Sequence, residues 1–227
     1  MALNIAILLS GFGSNFQAIQ DKIESGALDA SICLVASNKP DARGLERARA
    51  AGLATWAEPH QNYPDRAAFD AALGDALEAA GAELIVLAGY MRLLSKDFLE
   101  RFKGRVINIH PALLPSFPGV HGAADAVAYG VKISGVTVHF VEEIMDSGPV
   151  IIQAAVPCIP GEAADALQAR IHKQEHRIYP QAIQWLAEKR ISLGGENGRM
   201  VHLASGKTAP APAELGVLVY PPLEAGF

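Results

Sequence analysis

Short apolar runs, separated by stretches with helical spacing, constrain this chain more than any other feature. Asn4-Ile-Ala-Ile-Leu-Leu9, residues 31–36, Leu84-Ile-Val-Leu-Ala88 and Val106-Ile-Asn-Ile-His110 are each too short for a buried helix, and Asn4–Leu9 carries no polar alternate face over most of its length. Strands buried on both sides have this character, and such strands pair in parallel through helical crossovers. The intervening segments supply those crossovers: Phe16, Ile19 and Ile23 recur at helical spacing, and helices are predicted over 43–51, about 65–80, and 95–102. After residue 134 the rhythm changes. Residues 135–141 and 149–156 are two strands with only a loop between them, which predicts an antiparallel hairpin, and a long helix with a bend at Pro180 is expected over about 163–189. The expected class is α/β: an open, mostly parallel twisted sheet with helices on both faces and an antiparallel strand addition. Residues 1–190 read as one domain, and 191–227 as a Gly-, Pro- and Ala-rich tail of short strands or irregular chain.

Half of the 227 residues are hydrophobic and 19% are charged, a globular composition. The net charge of −5 and the lack of a Lys/Arg run argue against nucleic acid or an anionic membrane as partner, while leaving room for a small anion in a local pocket. No apolar run approaches membrane-spanning length and the first residues lack a basic leader, so a cytoplasmic location is expected. Cys33 and Cys158 belong to no CxxC and are expected as buried or incidental thiols.

The 106–110 strand places Asn108 and His110 on one face, because strand side chains alternate, and Pro111 ends it just after the histidine. Ligands in open α/β sheets bind beyond the carboxyl ends of strands, where this pair falls. Ser10-Gly-Phe-Gly-Ser-Asn15 is a glycine-containing turn between strand and helix, with Asn15 as the expected N-cap. It is either a bare tight turn or an anion site for one phosphate. A dinucleotide fits poorly, since Phe16 replaces the third glycine of GxGxxG and the second strand ends in Ser37-Asn38 instead of an acid. Leu203-Ala-Ser-Gly-Lys-Thr208 is not a P-loop, because Val201 stands where the first glycine belongs and prolines follow. His172-Lys-Gln-Glu-His176 has the spacing of some zinc sites but no further histidine in its helix, so a polar helix face competes with a metal. Asp146 is either a turn former or a partner that would favour a charged His110. An Asn, His and Asp without a Ser or Cys nucleophile point to direct attack by a substrate group on a carbonyl carbon.

Four blocks then carry a resemblance to the phosphoribosylglycinamide formyltransferases, the folate-dependent enzymes of purine biosynthesis. They are Ser10–Asn15, Leu87-Ala-Gly-Tyr-Met-Arg-Leu-Leu-Ser95, Asn108-Ile-His-Pro-Ala-Leu-Leu-Pro115, and Gly135-Val-Thr-Val-His-Phe-Val followed by Met145-Asp-Ser-Gly-Pro-Val150. Gln174-Glu-His176 adds a fifth. The resemblance implies formyl transfer from 10-formyltetrahydrofolate to the glycinamide amine, without a metal. It implies Asn108, His110 and Asp146 as the catalytic trio. It also implies Gly13, Ser14 and Asn15 as the phosphate cradle, and Glu175 and His172 as further contacts of the phosphoribosylglycinamide. Folate contacts map to Arg66, Met91, Arg92, Leu93, Leu94 and Asn108, with 141–146 (Val141 and Asp146 included) around the pterin. The N-terminal half would bind the phosphorylated amine, and 84–156 would form much of the folate and catalytic cleft.

Some positions depart from the family pattern. Phe12 occupies a loop position often held by Asn, and His172 stands where Gln or another polar residue is expected. Gly122-Ala123 follows His121 where some relatives carry a second histidine. Related activities lack support here: a formyltetrahydrofolate hydrolase usually carries an N-terminal regulatory domain, and Met-tRNA formyltransferase a C-terminal tRNA-binding domain. A non-catalytic nucleotide-binding protein would be expected to have lost part of the trio. The oligomeric state is open between monomer and homodimer.

Overall fold

The computed structural model describes residues 2–195, 197–206 and 209–227. Of the Leu203–Thr208 segment, Lys207 and Thr208 lie outside the described residues. The chain clusters into two compact units, 1–108 and 109–227.

The first unit follows the βα rhythm of the sequence. It comprises β1 (Leu3–Leu9), α1 (Ser14–Glu24), β2 (Ala30–Ser37), α2 (Arg43–Ala50), β3 (Thr55–Ala57), a 3-10 turn at His60–Asn62, α3 (Arg66–Ala79), β4 (Leu84–Leu87), α4 (Lys96–Arg101) and the start of β5 (Val106–His110). Parallel β1 pairs with β2 on one side and β4 on the other, while β3 extends β2 and residues 106–108 extend β4. The direction of strand addition therefore reverses between β1 and β4, the switch point at which open α/β sheets bind ligands. Ile5, Ile7, Leu8 and Leu9 of β1 are fully buried, as are Val35, Ile85 and Val86 around them. Phe16, Ile19, Leu45, Phe69 and Leu77 supply the matching apolar faces of α1, α2 and α3. Asp65 caps α3 by accepting the Ala68 N–H at 2.8 Å, and Ser95 caps α4.

Asn15 does not cap α1. The cap position is Gly13, in the left-handed region at φ 79°, and Asn15 lies inside the first turn. The reason is a close approach: a Cβ on Gly13 would stand 2.9 Å from the Gly44 Cα, and one on Gly44 would stand 2.5 Å from Leu9. Two glycines let the loop and α2 meet at backbone distance, and the Gly44 N–H donates to the Gly11 carbonyl at 3.0 Å.

The second unit holds the end of β5, then α5 (Gly122–Tyr129), β6 (Ile133–Phe140), β7 (Val150–Pro157), α6 (Ala164–Ala187), β8 (Ile191–Gly194), β9 (Met200–Leu203) and β10 (Leu218–Tyr220). Strands β6 and β7 form the expected antiparallel pair, with a register shift between Val138 and His139. Helix α6 packs on both strands and runs as one helix through Pro180. The Ala-rich helix α5 escaped the sequence reading, because a Gly-, Pro- and His-containing stretch precedes it. Residues 191–227 contain the antiparallel β8–β9 pair and β10, which pairs antiparallel with β7. Ion pairs tie this segment to α6 and the turn after it: Arg190–Glu224 at 2.8 Å and Arg177–Glu214 at 2.6 Å.

Across the chain, eight strands share the order β10-β7-β6-β5-β4-β1-β2-β3, with β8 and β9 pairing separately. The class is α/β: a mostly parallel mixed sheet with helices and an antiparallel addition.

A Cβ at Gly135 would lie 2.0 Å from the Ala154 carbonyl oxygen, so Gly135→Ala must part β6 from β7. A loss of about 3 kcal/mol or more in denaturant unfolding is expected. Gly11→Ala, which meets nothing within 4 Å, should shift stability by less than about 0.5 kcal/mol.

Candidate active site

Ser10 directly follows β1 and joins three strand ends within the first unit. Its hydroxyl donates to Asn38 Oδ1 at 2.6 Å and accepts the Met91 N–H at 2.9 Å, while its own N–H donates to the Gly89 carbonyl at 3.0 Å. Ser10 and Asn38 are both buried. The sequence reading used Asn38 only to argue against a dinucleotide, and its bond to Ser10 is a tertiary fact. Beyond this joint, Gly13, Ser14 and Asn15 lead into α1. The first N–H groups of a helix have no intrahelical acceptor, so the turn has the donors and the dipole to hold an anion.

The other side of the switch point carries residues 91–95. Met91 and Leu93 are exposed, although they follow the buried β4, and Arg92 stacks over the Phe69 ring at 5.0 Å. This turn is held by Asp70, an almost fully buried acid of α3 whose Oδ2 accepts the Ser95 N–H at 2.6 Å. Burial pushes the Asp70 carboxyl above its ordinary range, opposed by the Ser95 hydrogen bonds and by the Arg92 and Arg66 charges. Asp70 was missed in the sequence. Its only signal was an acid on the face shared with Phe69 and Leu73, one helical turn beyond Arg66. Asn108, half-buried on β5, sits opposite Leu87 in the β4–β5 register.

In the second unit β5 ends at His110, which is 3% exposed. Its Nε2 lies 2.8 Å from the Phe117 carbonyl and its Nδ1 lies 3.5 Å from Asp146 Oδ2. Both ring nitrogens thus face oxygen atoms, and which of them donates depends on the tautomer. Asp146 Oδ2 also accepts the Gly119 N–H at 2.8 Å. Phe117 and Asp146 both have left-handed backbones, at φ 51° and 53°. That conformation is unfavourable for a non-glycine residue, and here it occurs at two groups that contact the histidine.

A second histidine faces the same carboxylate. His139 Nε2 is 3.8 Å from Asp146 Oδ1, while its Nδ1 is 2.8 Å from the Phe140 carbonyl. The β6–β7 register shift falls between Val138 and His139, where the pairing skips Ile151 of β7. Burial pulls the His139 imidazole below its usual range, opposed by the Phe140 carbonyl and Asp146 and aided by His110. The sequence placed His139 inside a matching block but assigned it no task. On α6, His172 Nε2 lies 3.9 Å from Oε2 of the buried Glu175, and the His172 and His176 rings are parallel with centroids 6.3 Å apart. Among the described residues no group of three His, Cys, Asp or Glu side chains could hold a metal ion. Val141 follows directly on β6, four residues before the Met145–Asp146 turn.

The His139 shift has a signed consequence. Its folded pKa lies below the unfolded value of about 6.5, so the unfolded chain takes up the proton first. Stability should fall as pH drops from about 6.5 toward the folded pKa. In His139→Gln, the decline of the unfolding midpoint between pH 7.5 and 5.5 should be shallower than in the parent; equal slopes would contradict this.

Comparison with known proteins places the chain. The formyl transferase family matches residues 3–183. Phosphoribosylglycinamide formyltransferase of Escherichia coli is 44% identical over 191 residues, covering 84% of this chain and 90% of that protein. The human trifunctional purine biosynthetic protein adenosine-3 is 41% identical over 196 residues, of whose own length the match covers 19%. Among solved structures, glycinamide ribonucleotide transformylase 1 of Symbiobacterium toebii superposes with a TM-score of 0.87 at 46% identity, covering 90% of this chain and 95% of that one. With the expected mostly parallel sheet, the expected hairpin and matches of this extent, the chain belongs to the formyl transferase family, among the relatives of the phosphoribosylglycinamide formyltransferases.

Proposed function

We propose that the chain transfers the formyl group of 10-formyltetrahydrofolate to the amine of 5'-phosphoribosylglycinamide, giving the formylated ribonucleotide and tetrahydrofolate. The observation that carries this reading is the contact between His110, at the end of β5, and Asp146, with Asn108 two residues earlier on the same strand. The amine attacks the formyl carbon and forms the new C–N bond, and the carbonyl oxygen takes up the electron pair. Asn108 offers its amide N–H to that oxyanion. His110 adds a second donor when a ring N–H turns from the Phe117 carbonyl to the oxyanion, and Asp146 orients the ring. Collapse expels the folate nitrogen, and Asp146, through water, helps carry the proton from the amine to that nitrogen.

Recognition divides between the two substrates. Gly13, Ser14 and Asn15 would take the phosphate on backbone N–H groups, with His172 and Glu175 as further contacts of the phosphoribosylglycinamide. Arg66, Met91, Arg92, Leu93, Leu94 and Val141, with Asn108 and Asp146, would receive the folate. Exposed Met91 and Leu93 supply apolar surface for a flat ring system, on a turn whose backbone is anchored to Asp70. The whole cycle needs no metal, since proton transfer and oxyanion stabilisation suffice for an amine attacking a formyl amide. No helix among the described residues is long and apolar enough to cross a membrane.

The deciding experiment follows tetrahydrofolate release from 10-formyltetrahydrofolate with and without glycinamide ribonucleotide. Release that depends on the ribonucleotide supports the transferase. Equal release without it shows a hydrolase, and no release from folded protein shows a binding role. Asp146→Asn should lower kcat by about 100-fold or more while leaving folate binding within a few-fold. Asp70→Ala should do the reverse: with the Ser95 anchor gone, KM for the folate should rise roughly fivefold to tenfold and kcat should largely persist.

A further inference from the structure

The glycine turn carries a feature that the proposed reaction does not use. Phe12, at its centre, is half exposed, although an aromatic ring gains nothing from water. Two arginines of α2 cover it: the Arg47 guanidinium lies 4.2 Å from the ring centroid and that of Arg43 lies 5.1 Å away. Residues 43 and 47 are one turn apart on the helix, so their side chains leave the same face, and the ring holds both. Arg47 also donates to Gln17 Oε1 at 3.4 Å. It therefore touches the residue just before Gly13 and the residue whose N–H donates to the Gly13 carbonyl, spanning the turn from its two ends.

Two features set this pair apart from an ordinary solvated surface. Among the described residues no ion pair involves Arg43 or Arg47, as is also true of Arg49, Arg66, Arg92 and Arg105, but only here do two such guanidinium groups lie over one ring. Two like charges held on one ring repel each other, and a dianion beside them relieves that repulsion. The cations are also fixed to the turn itself, because α2 is seated against it through Gly13 and Gly44. Each charge is separated from the loop backbone by little more than a ring, a distance comparable to the ~8 Å screening length at physiological salt.

We propose that Arg43 and Arg47, displayed on Phe12, form a cationic outer wall to the phosphate subsite of the glycine turn. The backbone N–H groups shape the inner cradle, and the wall supplies formal positive charge to a phosphate monoester dianion, which the neutral turn lacks. Phe12 acts as a positioning residue, replacing hydrogen bonding at the loop tip with a platform for two guanidinium groups. This inference rests on the phosphoribosyl reading of the turn.

The test compares the parent chain with Arg43→Gln, Arg47→Gln, their combination, and Phe12→Leu. Two quantities are measured at low ionic strength: KM for glycinamide ribonucleotide, and binding of inorganic phosphate by calorimetry. The double variant should raise the ribonucleotide KM and weaken phosphate binding by about tenfold each, with kcat and the folate KM within twofold. The difference should largely vanish near 1 M salt, where screening acts within ~3 Å. Phe12→Leu, which keeps both charges but frees them, should give a smaller loss in the same two quantities. A double variant that folds normally and binds ribonucleotide and phosphate as the parent does, or a defect indifferent to salt, overturns the proposal. If the parent transfers no formyl group, the proposed function fails on its own, and phosphate binding still judges the arginine wall: a parent that binds phosphate no better than the double variant overturns it.

Discussion

The hydroxyl of Ser10 is the joint on which the first unit turns. Parallel strands leave their carboxyl ends as bare loops, and at a switch point those loops diverge in opposite directions. By donating to Asn38 and accepting from the Met91 N–H, Ser10 links the loops after β2 and β4 to the end of β1. A buried hydroxyl gains from both of its capacities only when both partners are in place, and losing either leaves a polar group without compensation. The glycine turn begins one residue after this joint and the proposed folate-facing turn begins at Met91. Both proposed substrate contacts of the first unit therefore take their starting positions from one side chain.

The second unit solves a different problem, that of holding two imidazoles against one carboxylate. Asp146 has an oxygen facing each histidine, and the Gly119 N–H adds a fixed donor that keeps the carboxylate from rotating. The left-handed backbones at Phe117 and Asp146 bring a carbonyl and a carboxylate to opposite nitrogens of His110. Conformations of this kind persist only where surrounding contacts over-determine them, and here the His110 ring and the Gly119 N–H are among those contacts. Burial keeps His139 inclined toward its neutral form, which limits the positive charge gathered around Asp146.

Much of this architecture was legible before any coordinates. Apolar runs such as Asn4–Leu9 announce strands buried on both faces, because period and polarity are local properties of a side-chain list. Pro111 announces the end of β5 for a similar reason: a missing N–H is written in the residue itself. The N-cap of α1 was not legible. Asn15 has the right chemistry, yet Gly13 takes the position because Gly44, far along the chain, approaches too closely for any side chain. Helix α5 was hidden by neighbouring glycine and proline, whose local preference is overridden by packing against α6.

The candidate site divides along the same line. Asn108 and His110 share a strand face by alternation alone, and the glycine turn names its own backbone freedom, so residue order by itself determined these. Order also determined, through blocks spread over most of the chain, the family to which the protein belongs. Only tertiary structure decided that Asp146 meets His110, that His139 faces the same carboxylate, that Asp70 anchors the turn before Ser95, and that two arginines stack on Phe12. Each of these is a contact between residues distant in sequence, or between side chains whose direction a left-handed turn or a glycine contact sets. Periodicity tells which way a side chain points along its own element. What it meets there depends on chain closure, where burial and polar pairing select one arrangement from the many that the same local pattern allows.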